Sequence, residues 1–236
     1  MKISERPQFG ATSWELFGKI TKKLAVTPSR YKKPIRIYCD IDGVVKPIRW
    51  DDNPGDNEDL KYVQVPMFRS EFYTNNLHHE PHDFGYNPAV VAKLSEWSKR
   101  DDVDFVWLTA WRENAPYALD EILDIDSIGF LRWNYRDNDT THFEKGVALA
   151  ADQKKNPSKF LWFDDFANKR DYEDVPYFTR GFLTQPDGDN EAEPVFETEE
   201  VIIAPERYMA ITTSPKDGLS LAETQLVDAW LDLQQG

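Results

Sequence analysis

The chain has 236 residues, 40 % of them hydrophobic and 14 % aromatic, which suits one ring-rich α/β domain with insertions better than two full domains. A single cysteine, Cys39, excludes a disulfide framework within the chain and points to a reducing, cytoplasmic setting. The net charge of −14 is uneven: residues 1–36 carry +7 and the remainder −21, so an acidic body follows a basic arm.

The first ten residues are polar and show no apolar core of a secretory signal, and no run is long enough to span a bilayer, so no membrane partner is expected. Residues 12–26 place Trp14, Phe17, Ile20 and Leu24 at near-helical spacing with lysines between them, which predicts an amphipathic helix ended by Thr27-Pro28-Ser29. The basic residues of this arm read first as a solvated face, and second as a surface that attracts polyanions.

The segment Ile35-Arg36-Ile37-Tyr38-Cys39 is a short apolar run that predicts a buried parallel strand. It closes on Asp40-Ile41-Asp42-Gly43, two carboxylates one residue apart before a glycine that lets the chain turn away. In open α/β sheets, ligands bind at the carboxyl ends of strands. Two acids held this close call for a compensating cation and a division of roles.

Residues 45–86 are irregular and predict a flap or small cap, with short strands near Tyr62-Val63-Gln64-Val65 and Phe72-Tyr73-Thr74. Within it, His78, His79 and His82 with Glu80 and Asp83 read as a polar loop near the substrate rather than a zinc site, because Pro81 breaks helical ligand spacing. Asn87-Pro88 opens a helix. A strand over residues 103–108 closes on Thr109, and a helix over residues 116–123 buries Leu119, Ile122 and Leu123. A short strand over 128–131, a helix over 143–151 carrying Lys145, and a strand over 160–163 ending in Asp164-Asp165 follow. Residues 186–200 hold seven acids and no base and read as a solvated loop. Strands at 201–203 and 208–212 precede a helix opened by a Ser220/Glu223 capping box, with Leu226, Val227, Trp230 and Leu231 on its apolar face. Alternating strands and helices argue for a Rossmann-like parallel sheet with helices on both faces and the flap inserted after the first core strand.

Parallel strands would bring Asp40, Asp42, Thr109, Lys145, Asp164 and Asp165 to one crevice. Such a set fits phosphoryl transfer: a carboxylate attacks phosphorus, a second acid handles the leaving group, and Mg²⁺ bridges carboxylates and phosphate oxygens. The four groups, in this order, resemble the motifs of the haloacid dehalogenase superfamily of phosphohydrolases, over residues 35–165. The segment around Trp107-Leu108-Thr109-Ala110-Trp111 and the end of the chain resemble a small branch, found in actinobacteria and their phages, that is linked to RNA-repair proteins.

The resemblance implies Asp40 as nucleophile and Mg²⁺ ligand, and Asp42 as acid/base with its carbonyl on the metal. It implies Thr109 and Lys145 on the phosphoryl group, and Asp164 with Asp165 completing the metal site. Lys154, Lys155 and Lys159 compete with Lys145 but sit too near the strand over 160–163; Trp107 and Trp111 read first as core aromatics, with Trp111 the likelier of the two to face a substrate. It divides the chain into a basic helix and linker, 1–34, and a catalytic domain, 35–236. The expected activity is a Mg²⁺-dependent phosphatase acting through an aspartyl-phosphate on a nucleotide or nucleic-acid phosphate end. Alternatives are a small-metabolite phosphatase, an idle binding module of the same fold, and a metal-free dehalogenase, for which the further acids would be surplus.

Overall fold

The computed structural model describes residues 10–12, 17, 19, 35–48, 59–70, 77–132, 141–165, 196–197, 201–204 and 207–234. In chain order the elements are β1 (Gly10–Thr12), β2 (Ile35–Cys39), β3 (Lys61–Ser70), β4 (Leu77–Tyr86), α1 (Pro88–Ser98), β5 (Val103–Trp107), α2 (Asn114–Ala118), β6 (Ser127–Phe130), α3 (Thr141–Lys155), β7 (Lys159–Asp164), β8 (Phe196–Glu197), β9 (Val201–Ala204), β10 (Tyr208–Thr212) and α4 (Leu221–Leu233).

Seven strands form one sheet in the order β6-β5-β2-β7-β10-β9-β8. The first five are parallel, and β9 and β8 add an antiparallel edge. The apolar runs of β2 and β5 are buried at every residue because helices cover both faces. One core gathers Ile35, Ile37 and Cys39 of β2 with Leu94 and Trp97 of α1 and Val227 and Trp230 of α4. The opposite core gathers Tyr38 with Phe160 and Trp162 of β7 and Ala148 and Leu149 of α3. The two-residue period of a strand sorts side chains between these cores, so Asp40 continues the face of Arg36 and Tyr38, towards α3.

α1 starts where the sequence predicts: the Asn87 side chain accepts from Ala89 N at 2.9 Å, and Pro88 takes the first helical position. α4 carries the predicted capping box, with Ser220 Oγ accepting from Glu223 N at 3.2 Å and Ser220 N donating to Glu223 at 2.6 Å. Its apolar face differs at one position, since Leu226 is exposed and Thr224 is buried instead. The helix expected over 116–123 is displaced. α2 ends at Ala118, and Asp124 turns with φ 57, although Leu119 and Leu123 are buried as predicted.

The insertion is a ten-residue-per-strand hairpin, β3 with β4, to which β1 adds a third antiparallel strand. Its inner side chains Val65, Met67, Phe84 and Tyr86 join the first core. Pro66 and Pro81 face each other in register, and the register with β1 ends at His79. Proline is tolerated here because β3 is an edge strand and β4 has passed the end of its pairing with β1 by Pro81. The histidines predicted to lie in a loop are therefore strand residues. His79 is buried, with its Nε2 3.0 Å from the Tyr117 hydroxyl and its ring 4.9 Å from Phe68, a packed core histidine rather than a loop ligand. The strand expected at Phe72-Tyr73-Thr74 lies outside the described residues, as does most of the helix over 12–26. Phe17 packs edge-on against Phe68 of the hairpin at 5.3 Å. Among the described residues, no helix is long and apolar enough to cross a membrane.

One buried acid outside the crevice has a measurable consequence. Asp120 accepts from Trp107 Nε1 at 2.8 Å and from Ser127 Oγ at 2.6 Å, yet burial pushes its carboxyl from 3.8 up to about 7. The folded chain thus holds this proton to higher pH than the unfolded chain. The resulting stabilisation is complete below about pH 4 and is lost as pH rises towards 7. Asn at this position keeps an acceptor for the indole and offers an N–H to the serine hydroxyl. Urea titrations should find Asp120→Asn on the order of 3 kcal/mol more favourable, relative to wild type, at pH 7.5 than at pH 4. An equal effect at both pH values would contradict this.

Candidate active site

The carboxyl end of β2 leads into a tight loop. Ile41 O accepts from Val44 N, Val45 N and Lys46 N at 3.1, 2.9 and 2.8 Å, so the chain coils immediately after the strand. Gly43 has φ +74, and a Cβ there would meet Asp165 Cβ at 2.8 Å. Its glycine is thus required twice, by the turn and by the approach of the β7 end. The β10–α4 connection supports this loop from behind. Thr213 Oγ1 donates to Gly43 O at 2.5 Å, Leu219 N donates to Val44 O at 2.8 Å, and Ile48 N donates to Pro215 O at 2.7 Å.

Asp40 lies at the end of β2, with its N bonded to Phe163 O of β7 at 2.9 Å, which sets the two acidic strand ends side by side. Asp40, Asp164 and Asp165 are all buried, and each offers a carboxylate oxygen within 4.8 Å of the others. Ile41 N donates to Asp40 Oδ1 at 2.7 Å. From α3, the buried Lys145 ammonium donates to Asp40 Oδ2 and, at 2.9 Å, to Asp164 Oδ2.

Burial pushes the Asp40 carboxyl up to about 6; Lys145 pulls against that shift, and Asp164 adds to it. Burial opposes the Lys145 charge, but Asp164 and Asp40 outweigh it and hold the ammonium above its ordinary range. Three ionised carboxylates and one ammonium sum to −2, which a divalent cation neutralises. An all-oxygen donor set suits a hard ion such as Mg²⁺.

The structure places the other two predicted residues differently. Thr109 is buried just beyond β5, and its Oγ1 accepts from Trp111 N at 3.3 Å within its own turn. The Asp42 carboxylate stands apart from the three clustered acids: Oδ2 accepts from Trp111 Nε1 at 2.8 Å, and Oδ1 is 3.4 Å from Lys46 Nζ. Trp107 and Trp111 are both buried, as core aromatics, and Trp111, the likelier of the two to face a substrate, is bonded to Asp42. Lys46 and Thr213 were not among the sequence candidates. Lys46 carries no local signature, and Thr213 is 170 residues from the Gly43 carbonyl that it binds.

Arg36, counted from the sequence with the basic arm, is fully buried and bonded to Asp152, so it offers nothing to a polyanion. Lys32 and Lys33 lie outside the described residues.

No curated protein and no solved structure matches the chain. Residues 36–188 do match the family model described as the HAD domain in Swiss Army Knife RNA repair proteins. That span holds β2 to β7, the three clustered acids, Lys145 and Asp42 with its tryptophan partner. The chain belongs to this family, and with it to the haloacid dehalogenase superfamily.

Proposed function

We propose that the chain is a Mg²⁺-dependent phosphatase that works through an aspartyl-phosphate on Asp40 and acts on a nucleotide or the phosphate end of a nucleic acid. The observation that carries this reading is the convergence of Asp40, Asp164 and Asp165 with Lys145 at adjoining strand ends. A binding module has no need to keep three buried acids against a buried lysine. A metal-free dehalogenase would leave Asp164 and Asp165 without a task. The substrate class rests on the family's association with RNA repair.

In this mechanism an Asp40 oxygen attacks phosphorus, and the bond from phosphorus to the ester oxygen breaks. Asp42 gives its proton to the departing alkoxide. A water molecule then loses a proton to Asp42 and attacks the same phosphorus, which frees inorganic phosphate and restores the Asp40 carboxylate. Lys145, and Thr109 if its hydroxyl turns from its own loop, stabilise charge on the equatorial oxygens. Mg²⁺ held by Asp40, Asp164 and Asp165, with the Asp42 carbonyl, would neutralise the crowded acids and polarise the phosphoryl group. Uncatalysed monoester hydrolysis is slow enough that enzymes supply up to about 10²¹-fold, so a dense set of oriented charges is what the reaction demands.

The test is a turnover screen with 3′- and 5′-phosphorylated oligonucleotides, mononucleotides, phosphorylated metabolites and an aryl phosphate. The expected result is turnover that excess chelator abolishes and Mg²⁺ restores, with a phosphorylated oligonucleotide or nucleotide as the best substrate. Preference for a metabolite would move the substrate to the small-molecule class. Full turnover in excess chelator would falsify the metal-dependent mechanism.

A further inference from the structure

Of the two acids in Asp40-Ile41-Asp42, Asp42 is the one whose carboxylate stands outside the buried cluster. Its carboxylate is about one-third exposed, unlike those of the three clustered acids. Trp111 Nε1 donates to Oδ2 at 2.8 Å across a sequence separation of 69 residues. An indole has a single donor and accepts nothing, so the bond has one direction.

The indole is itself immobilised. It is buried, with its ring edge-on to Phe84 at 5.6 Å and to His82 at 5.3 Å, both on β4 of the flap. The Lys46 ammonium lies 5.7 Å from the ring centroid, and the Trp111 amide is bonded to Thr109 Oγ1. A carboxylate on a short side chain can rotate out of line, and a proton donor displaced by an ångström loses most of its advantage.

We propose that Trp111 is a positioning residue for Asp42. Its N–H holds Oδ2, which turns Oδ1 on the Lys46 side into the oxygen that gives and takes the proton, and the flap holds Trp111 in turn through Phe84 and His82. This inference rests on the phosphatase reading and adds to it a residue that touches neither phosphate nor metal. A core tryptophan with a merely structural role would lower all turnover alike. A tryptophan that aims the acid affects only the steps in which Asp42 gives or takes a proton.

The experiment compares an alkyl phosphate, whose poor leaving group needs a proton, with an activated aryl phosphate, which needs little. Trp111→Phe keeps most of the ring packing and removes the donor. The benzothienylalanine isostere at position 111 keeps the full ring shape and replaces N–H by sulfur, which guards against misfolding of the phenylalanine variant. Alcohol release in the first turnover isolates ester cleavage from hydrolysis of the aspartyl-phosphate, which uses Asp42 whatever the ester. In Mg²⁺, both variants should slow that release roughly 10- to 100-fold on the alkyl ester and less than about threefold on the aryl ester.

Adding either change to Asp42→Asn should cost almost nothing further on the alkyl ester, because the group being aimed is already gone. Equal losses of first-turnover alcohol release on both esters, or an undiminished further loss in the Asp42→Asn background, would overturn the proposal. Wild-type protein that turns over neither ester would remove the phosphatase reading itself, and this inference with it.

Discussion

Asp40→Asn should lower turnover by roughly 10⁴- to 10⁶-fold while leaving the protein folded. An amide does not attack phosphorus, and no other clustered carboxylate combines its place at the end of β2 with the contact to Lys145 that orients it. Stability should survive for the same reason that the site is reactive. Burial and Asp164 both work against the Asp40 charge, so a neutral isostere removes a cost as well as a contact. The amide oxygen still accepts from Ile41 N, and Lys145 still has Asp164 at 2.9 Å. Thermal melts beside single-turnover assays check this. More than about one per cent residual turnover with an intact fold would reassign the nucleophile.

The second large effect is on stability. Arg36 points from β2 into the face covered by α3 and is fully buried. It is bonded to Asp152 of α3, and its Nε lies 3.9 Å from Asp104, its register partner on β5. The Tyr38 hydroxyl, one step along the same strand face, donates to Asp152 at 2.6 Å, and Asn156 Nδ2 donates to it at 2.9 Å. Burial works against the guanidinium charge, and Tyr38 and Asp152 more than offset it.

Truncation to Arg36→Met would take the guanidinium away from the buried Asp152. Removing one partner of a buried pair costs about 3–5 kcal/mol. For a domain of this size, that is a fall in melting temperature of roughly 6–20 °C. Replacing Asp152 by leucine as well should recover part of the loss, since one stranded carboxylate is then gone. A loss below about 1 kcal/mol in urea titration would mean that solvent reaches the cluster. The same contact seats α3: Asp152 lies two helical turns from Lys145 on one face, and both grip β2, at Arg36 and Tyr38 below and at Asp40 above. The clamp that stabilises the helix thus also sets the height of Lys145 against the clustered acids.

The parallel strands were legible in the sequence because a strand buried on both faces is apolar along most of its length. Each such run ended abruptly in the polar residues that line the crevice, Asp40, Thr109 and Asp164-Asp165. Helix starts at Asn87-Pro88 and Ser220 were equally readable, since capping is local chemistry within four residues. The flap was visible only as an interruption. Prolines and clustered histidines oppose a strand reading locally, and only pairing along the whole hairpin, with Pro66 opposite Pro81, makes two ten-residue strands of it.

Tertiary structure alone decided the long-range partners. Charge by itself put Arg36 with the basic arm, while the register with Asp104 and the packing of α3 bury it. Aromatic character by itself made Trp111 a core residue without naming a partner, while the flap packs against it beside Asp42. Gly43 signals a turn by itself, but the approach of Asp165 that forbids a side chain there exists only once β2 and β7 lie side by side. Local periodicity and capping depend on neighbours a few residues apart, so the chain declares them. A hydrogen bond between residues 69 or 116 positions apart depends on how whole elements pack, and no short stretch of sequence carries that information.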